Sequence, residues 1–152
     1  MGSNEERPLI GRREIADFPE LGIFDLPVKI DTGAYNSSIH CREFKRRKDG
    51  ILEVVFLDPH HPAYTGEVHE FSRYRQKSVR SSNGQAERRY MISTTISFAG
   101  RDFPLDMSLT DRGDMRFTVL VGRKFLKASR FLVDPLKKEL LSPKKRRKKK
   151  KG

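Results

Sequence analysis

The sequence predicts a mainly β fold: a single closed or partly closed barrel with one short helix on its C-terminal side. Three observations carry that prediction. Short runs of alternating, β-branched residues recur along the chain with turn signals between them. Asp49-Gly50 and Asn83-Gly84 are the dipeptides that most strongly favour tight hairpins. No strand–helix–strand alternation occurs, which disfavours a doubly wound parallel sheet.

Taken in order, residues 1–8 are polar and expected to form a flexible N-terminus. Residues 10–15 open a strand, and the stretch around Pro19 and Gly22 turns the chain. Val28-Lys29-Ile30 alternates and delivers Asp31 to a strand end. Residues 37–41 resume extended structure. Residues 45–50 form a charged hairpin tip, and residues 51–57 a strand. Pro59, Pro62 and Gly66 make residues 58–75 the least regular part. Residues 76–80 read as extended and residues 81–84 as a turn. Along residues 88–98, Tyr90, Ile92, Thr94, Ile96 and Phe98 fall on one face of a strand. Residues 99–102 turn into a strand over 103–109, and 110–115 form a loop. A strand follows over 117–121, then a helical turn or two over 122–128. The last strand, 131–133, is ended by Pro135. The domain is therefore expected to span residues 9–136, with residues 137–152 a disordered basic tail.

The length, 152 residues, suits one domain. Cys41 is the single cysteine, so no intrachain disulfide and no Cys-rich zinc ribbon can form. That usage points to a reducing compartment, the cytoplasm. No apolar run approaches the roughly 18 residues that span a bilayer, so no membrane partner is expected. The net charge is +12, but Lys144 to Lys151 contribute eight of those charges without one acid. Such a run is solvated and self-repelling, and it attracts RNA or ribosomes through counterion release. The body lacks a recognised nucleic-acid reading motif.

The chemistry concentrates at Asp31-Thr32-Gly33. Three residues recur by chance, and the plain reading is a strand running into a turn. The context gives the motif weight. An apolar strand precedes it, Gly33 permits close backbone approach, Thr32 can bond across to a neighbour, and Ala34 is small enough for two such loops to face each other. Val119-Leu120-Val121-Gly122-Arg123 answers it late in the chain. The pair resembles the active-site loop and the apolar Gly-Arg segment of retropepsin-like aspartic proteases.

The resemblance extends through Ser37-Ser38-Ile39-His40, Ser82-Asn83-Gly84 with Glu87-Arg88, Leu109-Thr110-Asp111-Arg112 and Val133-Asp134-Pro135. Over residues 9–136 the chain resembles the bacterial family named ATP-dependent zinc proteases, associated with RimK and LysX and placed among retropepsin-like folds. The association implies ATP-grasp ligases that add glutamate to protein ends, and hence a peptidase acting on glutamate-rich tails. The residues themselves supply no ATP site, since no phosphate-binding glycine loop occurs. No His-Glu-x-x-His motif occurs either. His40, Cys41, His60 and His69 make a zinc site only if the fold gathers them; otherwise they are solvated or core side chains. No cofactor and no metal is therefore expected.

Aspartic-protease chemistry needs two facing carboxyl groups that share one proton. This chain carries one Asp-Thr-Gly, so the second carboxyl must come from a second copy, and a homodimer is expected. Asp31, Thr32 and Gly33 are the expected catalytic group. Ala34, Ser82, Asn83, Gly84, Arg88 and Arg112 are expected to bind substrate, with residues 80–89 as a flap or an ordinary exposed hairpin. Arg guanidinium groups suit acidic peptides, whereas Arg89 reads better as a surface ion pair. Gly122 and Arg123 are expected to support the active-site loop. The alternative is a non-catalytic module of the same fold that partners a RimK-type ligase or the ribosome.

Overall fold

The computed structural model describes residues 7–80, 83–111, 113 and 116–141. Its elements are β1 (Leu9–Gly11), β2 (Arg13–Phe18), β3 (Ile23–Ile30), β4 (Ser37–Arg46), β5 (Leu52–Phe56), β6 (His69–Phe71), β7 (Arg75–Arg80), β8 (Ala86–Phe98), β9 (Arg101–Thr110), β10 (Val119–Val121), α1 (Arg123–Ser129) and β11 (Leu132–Asp134). The expected mainly β barrel with one α-helix is what forms. Among the described residues no helix is long and apolar enough to cross a membrane.

β10 closes the barrel. It runs parallel to β3, with Val119 beside Val28 and Val121 beside Ile30. Its other edge pairs antiparallel with β4, Val119 beside Ile39. From β3 the ladder passes to β2, β8 and β9, and β9 returns parallel to β4. The six strands β10, β3, β2, β8, β9 and β4 therefore form a closed circuit with no free edge. Val28, Ile39, Ile96, Met107 and Val119 fill its interior, each at most 1% exposed. Burial of this apolar surface, roughly 25 cal/mol per Å2, drives the closure.

The β8–β9 hairpin shows how local chemistry sets the register. Ala99 and Gly100 both take positive φ, 52° and 88°, the backbone of a two-residue turn that matches strand twist. Phe98 then sits opposite Arg101, and the ladder runs to Met91 opposite Ser108. Phe98, Phe103, Phe125 and Phe131 pack ring to ring at centroid separations of 5.3 to 6.1 Å. That cluster fixes α1 against the barrel. Arg130, left-handed at φ 63°, ends the helix.

Two parts differ from expectation. The irregular stretch 58–75 contains β6, which pairs with β5 and places His69 opposite Val54. A three-residue His-Glu-Phe edge strand carries no alternation signal, so pairing to β5 alone defines it. The packed chain also continues past residue 136, through Leu141. The Arg12 N–H donates to the Lys137 carbonyl at 2.7 Å, and the Glu139 N–H donates to the Arg13 carbonyl at 2.8 Å. Glu14, fully buried, accepts the backbone N–H groups of Gly11, Leu140 and Leu141 at 2.8, 3.0 and 2.9 Å. Residues 144–151 lie outside the described residues.

Outside the barrel, β1 and β11 form a separate parallel ribbon, Leu9 beside Leu132 and Gly11 beside Asp134. Among the described residues β7 pairs with β8 alone, which extends both strands as a hairpin beyond the circuit.

Candidate active site

The site grows from the exit of β3. Ile30 is the last inward residue of that strand, and the next residue, Asp31, is half-buried. Its N–H donates to the Val121 carbonyl at 2.8 Å, the final bond of the β3–β10 ladder. Its side chain folds over the turn: Oδ1 accepts the Gly33 N–H at 3.0 Å. The Ala34 N–H donates back to the Asp31 carbonyl at 3.2 Å. A Cβ at position 33 would stand 3.3 Å from Asp31 Oδ1, so glycine lets the carboxylate lie against the backbone.

The segment after β10 holds this loop from behind. The Arg123 and Lys124 N–H groups donate to the carbonyls of Ala34 and Tyr35 at 2.8 and 3.0 Å. Arg123 Nη1 donates to the Thr32 carbonyl at 3.0 Å, and the guanidinium lies 5.8 Å from the centre of the Tyr35 ring. The Gly122 N–H donates to the Ser37 hydroxyl at 3.0 Å. A Cβ on Gly122 would meet the Tyr35 and Asn36 carbonyl oxygens at 2.6 Å. We expect Gly122→Ala to cost about 3 kcal/mol through this backbone clash. A melting-temperature drop of roughly 6 °C or more would register it.

Ser37 is the supporting residue that the sequence reading passed over. The sequence places it in extended chain and within the resemblance without assigning it a role, yet it is 3% exposed. Its hydroxyl accepts from Gly122, and its carbonyl accepts the Ser108 hydroxyl at 3.3 Å. The available signal was its alternation with Ile39, which turns both inward.

The remaining expected residues are spread more widely. Asn83 and Gly84 stand at the exposed tip between β7 and β8, where Gly84 takes φ 85° and Asn83 Oδ1 accepts the Gln85 N–H at 3.1 Å. Arg88 is exposed and donates to Gln76 Oε1 at 3.2 Å. Arg89 pairs with Glu87 at 3.3 Å. Ser82 and Arg112 lie outside the described residues.

The four candidate zinc ligands have different surroundings. His40, buried in β4, meets Asp58 at 2.8 Å. Burial pushes the Cys41 thiol pKa well up, and its sulfur contacts the Ile39 carbonyl at 3.7 Å, which disfavours the thiolate a metal needs. His60 is exposed. His69 packs edge-on against Phe56 at 5.2 Å. Among the described residues no three His, Cys, Asp or Glu side chains are grouped to hold a metal ion.

Comparison with known proteins agrees with this geometry. The RimB-like family model, described as retropepsin-like aspartic endopeptidase RimB, matches residues 9–144. A probable alpha-L-glutamate ligase of Shewanella pealeana is 29% identical over 147 residues, covering 87% of this chain and 29% of that protein. A protein of the same description from Desulfotalea psychrophila is 29% identical over 148 residues, covering 89% of this chain and 30% of its own length. The chain thus spans less than a third of these ligase-named relatives. A Legionella pneumophila protein of unknown function shares the fold, with a TM-score of 0.69 and 22% identity over 90% of this chain and the whole of that one.

Proposed function

We propose that this chain, which belongs to the RimB-like family of retropepsin-like aspartic endopeptidases, hydrolyses peptide bonds through Asp31 paired with the Asp31 of a second copy. The observation that carries the reading is the placement of Asp31. A half-buried carboxyl sits at a strand exit, locked by Gly33 and Val121 and backed by Arg123. A two-fold axis through such a loop would set two carboxyls face to face. Like charges so close share one proton. The ionised partner then takes a proton from water, and the protonated one polarises the scissile carbonyl. Glutamate-rich tails are the proposed substrate, a choice supported by the glutamate-ligase names of the relatives.

The test is incubation of the full chain with a peptide ending in several glutamates, followed by mass spectrometry, with and without chelator. We expect cleavage that chelator does not change, in a protein that light scattering shows to be a dimer. Activity lost to chelator, or undiminished in a strict monomer, would sink the proposal.

One observation favours a second reading. The matched region forms less than a third of relatives named as glutamate ligases, which suits a non-catalytic module that docks on a ligase. Absence of cleavage, together with co-purification with a ligase of that class, would favour it.

A further inference from the structure

We propose that the β7–β8 hairpin is a binding surface for single-stranded RNA. The positive charge of the chain sits in two places. Lys144 to Lys151 contribute eight charges, and residues 73–90 a net five, six cations against Glu87 alone. What remains of the +12 total is a single negative charge, so the rest of the molecule is balanced.

Strand alternation divides the hairpin into two faces. On one, Lys77 stands opposite Arg89, with Arg75 two residues before Lys77. That face is partly neutralised, because Arg75 pairs with Asp106 at 3.2 Å and Arg89 with Glu87 at 3.3 Å. On the other face Gln76 stands opposite Tyr90, and Ser78 opposite Arg88, with Arg80 beyond. There the described partners are neutral. Arg88 donates to the Gln76 amide at 3.2 Å and Arg80 to the Gly84 carbonyl at 2.8 Å. Both guanidinium groups are exposed, and their charge awaits an anion.

The neighbouring groups identify which anion. Gln76, Arg88, Arg89 and Tyr90 line a pocket of about 250 Å3. The Tyr90 ring is half-buried and held edge-on by Tyr74 and Phe44 at 5.6 and 6.0 Å. Guanidinium groups suit phosphates, an aromatic ring and an amide suit a base, and the Ser78 hydroxyl suits a 2′-hydroxyl. An acidic peptide would use the guanidinium groups alone. A single strand fits better than an RNA duplex, whose deep, narrow major groove shuts out side chains and whose bases are stacked away from an aromatic ring.

The test is fluorescence anisotropy of a labelled single-stranded RNA with the full chain over a range of salt. We expect Arg80→Gln/Arg88→Gln to weaken binding about tenfold and to lower the salt slope by about 1.4, two phosphate contacts for a single strand. The melting temperature should hold, because both side chains are exposed. The same loss should persist after deletion of residues 143–152, and Asp31→Asn should bind RNA like the wild type whether or not the chain is a peptidase. Three outcomes overturn the proposal: unchanged binding by the double variant, a loss that vanishes once the tail is removed, or displacement of RNA by an equimolar polyglutamate peptide.

Discussion

Asp31→Asn is expected to lower peptide hydrolysis by about 10²- to 10⁴-fold, the scale of general acid–base catalysis, while the melting temperature stays within about 1 °C. The two halves of that expectation have different causes. Among the described residues the Asp31 side chain serves the fold as an acceptor for the Gly33 N–H at 3.0 Å, and an asparagine carbonyl accepts the same bond. The chemistry uses it as a proton carrier, which an amide is not. Mixed dimers sharpen the measurement. A population holding one wild-type and one Asn copy should be as inactive as the double variant, because the proton is shared across the pair. Half activity in isolated mixed dimers would mean that each copy works alone, and the paired-carboxyl mechanism would fail.

Glu14→Ala is the substitution expected to cost the most stability, about 4 kcal/mol. The carboxylate is fully buried and accepts three backbone N–H groups, one from Gly11 and two from Leu140 and Leu141. Bonds to a charged acceptor contribute about 1.5–3 kcal/mol each, and release of residues 140–141 to water recovers part of the loss. Glu14→Gln keeps one acceptor oxygen and sets an amide NH2 against a donor, so it should cost about half as much. Denaturant unfolding measures both. Amide exchange at Leu140 and Leu141 should quicken in each variant while the exchange of Ile96 in β8 does not. A cost under about 1 kcal/mol for the alanine variant would show that the C-terminal segment is held by something other than Glu14.

The barrel was legible because its signals are local. Ile92, Thr94, Ile96 and Phe98 alternate inward as their spacing predicts, and Val28-Lys29-Ile30 does end at Asp31. The turn between β8 and β9 is written in Ala99-Gly100. What stayed hidden depends on partners far apart in sequence. Glu14 reads as one more polar residue until Leu140 and Leu141 arrive across more than a hundred positions. Ser37 gains its place only when Gly122 approaches. His40 reads as a lone histidine until Asp58, eighteen residues on, is seen to meet it. Gly33 and Gly122 stood out in the motif, but the contacts that exclude a side chain there come from the folded loop.

The β1–β11 ribbon sets the points at which the chain joins and leaves its barrel side by side, Leu9 against Leu132. A neighbouring polypeptide could be joined before Leu9 or after Leu141 without threading through the circuit of six strands. The fold is in that sense a cassette. Such a layout allows further polypeptide to be joined at little cost to the closed sheet that carries Asp31.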